Sequence, residues 1–142
     1  MANRVQGILD AFVTNLTGLT TTTTNVKATR SYNVASTPAL TVMLGREQLI
    51  EWNPAKVRKS REISILIHVA ESEELVDDKI LQIEAEIWAA LTADTSQGLG
   101  YVYDTVFVES TQIETEQGGK VSGQVQQSWE VHYTHSPTSM EA

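Results

Sequence analysis

Val121-Ser122-Gly123-Gln124-Val125-Gln126-Gln127-Ser128-Trp129-Glu130-Val131-His132-Tyr133 is the stretch on which the fold turns. Val121, Val125, Trp129, Val131 and Tyr133 fall on one side of a two-residue period. Ser122, Gln124, Gln126, Ser128, Glu130 and His132 fall on the other. That alternation predicts a β-strand in a sheet with one covered face and one polar face, because successive side chains of a strand point to opposite sides.

Gly118-Gly119 stands just before it, a pair suited to the tight turn between antiparallel strands, so Tyr101 to Ile113 reads as the hairpin partner. A strand of about 13 residues at roughly 3.4 Å each spans about 44 Å, longer than the roughly 30 Å of a small domain. The outer hairpin, with Ile113 and Val121 as its large apolar residues, is therefore expected to project. A two-stranded ribbon is marginal alone in water, so support from another chain is expected. Further out, Ile63, Ile65, Ile67 and Val69 alternate with Glu62, Ser64, Leu66 and His68 as another strand. Pro38 opens a shorter one whose Leu40, Val42 and Leu44 share a face and which Gly45 ends. Val26, Ala28, Tyr32 and Val34 give one more, interrupted by Arg30. Residues 45–60 read as a polar connection and Thr20 to Thr24 as an exposed loop or the frayed start of a strand.

Two helices are available as cover. Val5, Ile8, Leu9, Phe12 and Leu16 form an apolar stripe that Asn3 can cap and Gly18 can stop. Val76, Ile80, Ile83, Ile87 and Leu91 form a second stripe, entered through the acidic run Glu71 to Asp78, which suits a helix N-terminus. The predicted fold is α+β: two layers, a mainly antiparallel sheet covered on one face by two helices, with a long projecting β-hairpin. Residues 1–135 are expected to form this one domain and 136–142 a flexible C-terminal tail.

The 142 residues suit a single domain. The formal charge of −8 argues against non-specific nucleic-acid binding by the surface as a whole. The sequence has no cysteine, which removes disulfides, thiolate metal sites and cysteine nucleophiles. Neither a signal peptide nor an apolar run of about 20 residues is legible, so a soluble intracellular protein with no membrane partner is expected.

The motifs of chemistry are sparse. His68, His132 and His135 have no metalloprotease spacing, Gly98-Leu99-Gly100 lacks the third glycine of a phosphate cradle, and no Gly-x-Ser-x-Gly elbow occurs. No catalytic residue, metal or cofactor is expected. Lys56, Arg58, Lys59 and Arg61 make the sharpest charge asymmetry, readable as protection of a sheet edge or as a patch for an acidic neighbour or passing DNA. Leu49, Ile50 and Trp52 precede it, open to burial by the domain or by a partner, and Glu114, Glu116, Gly118 and Gly119 mark the hairpin tip. These are the candidate interface residues. A ligand-binding or enzymatic site on the polar sheet face around His68 and His132 is the competing expectation.

The chain resembles the tail terminator, or tail-completion, proteins of long-tailed bacteriophages, of the lambda type. The likeness lies in a helix ending near Leu16-Thr17-Gly18, the strand Pro38-Ala39-Leu40-Thr41-Val42, and Ser60-Arg61-Glu62-Ile63-Ser64-Ile65-Leu66-Ile67-His68-Val69. It continues through the helix from Leu75 to Ala93 and Gln127-Ser128-Trp129-Glu130-Val131-His132-Tyr133, spanning Arg4 to Tyr133. The resemblance implies a structural virion protein of tail and neck, assembled in the host cytoplasm as a homo-hexameric ring. Such a ring binds the last ring of the tail tube protein, stops its growth and offers a joint to the head–neck connector. A sheath protein joins the partners in a contractile tail, and DNA is passing cargo in the lumen. A connector subunit of the neck is the neighbouring alternative.

Overall fold

A computed structural model of the chain describes residues 3–23, 25–28, 38–71, 75–117 and 120–141, with backbone alone at 71, 113–117 and 120–122. Helix α1 (Arg4–Leu16) is followed by β1 (Val26–Lys27), β2 (Ala39–Trp52), β3 (Val57–Glu71), α2 (Val76–Thr92), β4 (Val102–Gln117) and β5 (Lys120–His135). The strands form one sheet in the order β1-β2-β3-β5-β4, with β1 parallel to β2 and every other pair antiparallel. The α+β architecture read from the sequence is the one observed.

The period-two pattern of β5 sets the layers. Ile67, Ile65 and Ile63 of β3 sit opposite Val125, Gln127 and Trp129 of β5, and Leu40 and Val42 of β2 sit opposite Ile67 and Ile65. This face packs in one core with Val5, Ile8, Phe12 and Leu16 of α1 and with Val76, Ile80, Ile83, Ile87 and Leu91 of α2. Burial of each Ile of β3 contributes about 1.5–3 kcal/mol. The Asn3 side chain accepts a 2.7 Å hydrogen bond from the Val5 amide at the start of α1, and Gly18 takes φ +95° just beyond its end. Helix α1 lies over β1 and β2, and α2 over β3 and β5, with β4 at its margin, where Phe107 meets Trp88 and Gln112 donates to Asp77 at 3.1 Å.

Several boundaries differ from the sequence reading. The polar connection expected over 45–60 is largely strand: β2 continues through Gly45 to Trp52, and β3 begins at Val57. A register shift between Leu44 and Glu47 accommodates the glycine, so a residue read as a stop is a bulge. The turn is tied by the Asn53 carboxamide, which accepts from the Ala55 and Lys56 amides at 2.8 and 2.9 Å. Thr20 to Thr23 is held against the domain: Thr22 is buried, and the Thr21 amide donates to Glu86 of α2 at 2.8 Å. The later part of the strand expected over 26–34, and Thr24, lie outside the described residues. Residues 136–141, expected as a tail, fold back on α1, where the Met140 carbonyl accepts from the Arg4 amide at 2.9 Å and its side chain joins the core's margin.

The hairpin of β4 and β5 is as long as expected but is not a two-stranded ribbon. Strand β3 accompanies β5 from Val57↔His135 to Glu71↔Val121, so β5 is flanked on both sides nearly to its first residue. Alternation in β5 was read correctly, whereas the register that supplies its second partner is a tertiary property. Gly123 marks where α2 comes closest: a Cβ there would lie 2.7 Å from Ile80 Cδ1 and 2.9 Å from Val76 Cγ2. Gly123→Ala is expected to lower unfolding free energy by about 1–3 kcal/mol, because it overpacks the contact between α2 and β5. Urea unfolding checks this, and unchanged stability would show that the helix stands further off.

Candidate assembly surface

The basic run read from the sequence is divided by the strand period. Lys56 lies exposed in the β2–β3 turn. Arg58 faces Glu51 at 3.9 Å, and its guanidinium carbon lies 5.4 Å from the centre of the Tyr103 ring. Lys59 and Arg61 point the other way, to Glu47, at 3.2 and 3.0 Å. Tyr133 OH donates to the same carboxylate at 3.0 Å. Burial raises the pKa of Glu47, but the hydrogen bonds from Arg61, Tyr133 and Lys59 outweigh it and hold the carboxyl below its ordinary range. For Tyr133, burial and then the Glu47 charge push the phenol far above its usual value. Two of the four cations therefore fasten β2, β3 and β5 together, and Arg58 and Lys56 remain near the surface.

Leu49, Ile50 and Trp52 are exposed, at 59%, 47% and 62%. They lie on β2, where β1 pairs only with Leu40 and Thr41. From Arg46 to Trp52, no strand among the described residues pairs with the outer edge of β2. Leu49 and Trp52 sit opposite Lys59 and Val57, on the sheet face that carries Tyr133 and the helices. Grouped exposed side chains of this size, on an edge unpaired among the described residues, make this stretch a candidate interaction surface, since native sheets commonly guard such edges.

The other outer strand, β4, has the second open edge among the described residues. Val106 and Val108 are exposed there, and Phe107 between them turns toward the helices. Phe107, Trp129 and Trp88 of α2 form an aromatic cluster with centroid separations of 5.4 to 5.5 Å, yet Trp88 remains 51% exposed and Leu81, two turns earlier, 63%. This corner was not read from the sequence. Its signal was present: Leu81 and Trp88 lie off the buried stripe of α2, and three consecutive large apolar residues at 106–108 cannot all face one side of a strand.

The histidines do not converge. His68 pairs with Gln124 and His132 follows eight positions along β5, which separates them by about 27 Å. His68 is buried, 3.1 Å from Thr41 Oγ1, and burial lowers its pKa. His132 lies beside Glu130 at 3.7 Å and edge-on to Tyr103 at 5.7 Å. Among the described residues, no three His, Asp or Glu side chains are grouped to hold a metal ion. At the hairpin tip, Glu114 and Glu116 belong to β4, opposite Gly123 and Val121, with their side chains outside the description, and Gly118 and Gly119 lie outside the described residues. No family model matches the chain, and comparison with curated proteins finds no match.

The Glu47 cluster yields a pH test. Its carboxyl binds protons less readily folded than unfolded, so its contribution is full above the ordinary carboxylate pKa and is lost as pH falls through the folded value. Glu47→Gln is expected to cost about 1–2 kcal/mol near neutral pH, after allowance for partial exposure, with the gap to wild type closing as pH falls below the ordinary carboxylate range. Denaturant titrations across that range check it; a gap independent of pH would exclude the ionised carboxylate as the source.

Proposed function

We propose that the chain is a non-enzymatic assembly protein of the tail-terminator kind, which forms a homo-oligomeric ring, six-fold by the resemblance described above. The ring caps a phage tail tube, stops its polymerisation and presents a joint to the neck. The observation that carries this reading is the pair of sheet edges left unpaired among the described residues, each with exposed large apolar side chains, at Leu49, Ile50 and Trp52 on β2 and at Val106 and Val108 on β4. A monomer with two such edges is poorly protected against association, whereas a ring of like copies buries both.

The charge is consistent with this role. Eighteen acidic against ten basic residues give a ring whose walls would let DNA pass without holding it, since like charge keeps a polyanion from adsorbing. The pieces on which the resemblance rests, an N-terminal helix, two strands, a long helix and a closing sheet strand, each have a counterpart in the observed chain.

The test uses purified protein. Light scattering and negative-stain microscopy are expected to show a closed ring, and the ring to bind the ends of preformed tail tubes and block further addition of tube subunits. A chain that stays monomeric at high concentration and leaves tube growth unchanged would overturn the proposal. Rings that ignore tubes but bind isolated connector complexes would favour a neck subunit.

A further inference from the structure

The self-assembly proposed above leaves open which surfaces meet, and this inference rests on that reading. We propose that the outer edge of β2, from Arg46 to Trp52, pairs in antiparallel fashion with the outer edge of β4 in a second copy of this chain. The sheet then runs on from one copy to the next.

Strand polarity comes first. Each of the steps β2 to β3, β3 to β5 and β5 to β4 is antiparallel, so β2 and β4 run in opposite senses at the two sides of the sheet. A copy rotated about an axis roughly along the strands brings its β4 beside β2 in antiparallel register, the more stable of the two pairings. Such a joint is head-to-tail, which generates rings.

Charge selects the partner edge. Strand β4 carries Asp104, Glu109, Glu114 and Glu116 and no basic residue. The β2 side carries exposed Arg46 and, at its turn, exposed Lys56; Arg58 faces the exposed Glu51 and both Lys59 and Arg61 answer Glu47, so base exceeds acid on this side. Joining β4 to β4 about a two-fold axis would set these carboxylates against each other, whereas β2 against β4 sets bases near acids.

Apolar surface agrees. Leu49 and Trp52 lie on the helix-covered face of the sheet, and the aromatic corner of Trp88 and Phe107 borders β4 on that face. Bringing Leu49 beside Phe107 requires a stagger of about four residues between copies, from the level of Tyr133 to that of Trp129, and closed sheets need such a shear.

The absence of cysteine makes the test clean. Gln48 and Thr111, both exposed, sit opposite Ser60 and Gln126, on the polar face of the sheet. The variants Gln48→Cys, Thr111→Cys and the double substitution are treated with a short bis-maleimide at concentrations where light scattering shows assembly. The double variant is expected to give a ladder of covalent multimers, an equal mixture of the single variants to give dimers, and each single variant alone to give none. Self-crosslinking of either single variant would overturn the head-to-tail joint in favour of a two-fold one. Rings seen by microscopy without a ladder would overturn this joint while leaving ring assembly standing. A chain monomeric at every concentration would overturn both.

Discussion

Pairing of β5 on both sides from Val121 to Tyr133 is the constraint from which the rest of the structure follows. Every residue from Val121 to His135 has a partner on β3, and β4 follows the other side to Lys120. A strand so placed has its backbone groups satisfied by neighbours, and its side chains can alternate strictly between a covered and an uncovered face. Val125, Trp129, Val131 and Tyr133 then form the floor on which α2 lies, and Gly123 lets the start of that helix come close. The same arrangement pushes β2 and β4 to the margins, where their outer edges have no protein of their own to meet among the described residues.

Much of this was legible in the residues because period-two and period-3.6 patterns report burial directly. The five buried positions of α2 and the cap and stop of α1 were readable from spacing and from Asn3 and Gly18. Residues 45–60 misled because the pattern there is polar on both faces: Glu47, Lys59 and Arg61 occupy positions an apolar face would fill, and they satisfy one another. An ion cluster inside a sheet is invisible to hydrophobic periodicity, since its stability depends on partners distant in sequence such as Tyr133. The candidate surface was half legible. Leu49, Ile50 and Trp52 stood out as apolar residues in a polar setting, while the corner of Trp88 and Phe107 required knowledge of which strand lies at the edge.

The Glu47 cluster also bears on the surface beside it. Lys59 and Arg61 are drawn inward to one carboxylate, which ties the far half of β2 to the sheet and holds Leu49 to Trp52 on a fixed strand instead of a loose loop. A rigid edge loses less entropy on docking than a mobile one. The basic run therefore divides its work: the inner pair stiffens the edge, and Arg58, Lys56 and the nearby Arg46 give it a charge opposite to that of β4.

Hydrogen exchange on the protein at dilute and at assembling concentrations tests the central claim, a sheet complete around β5 and, among the described residues, unpaired at two margins. The account predicts slow exchange for β5 amides at both concentrations, and protection of outward amides in β4 and in Arg46 to Trp52 that appears only on assembly. Fast exchange within β5, or assembly that leaves both margins exchanging as they do in the dilute protein, would contradict it.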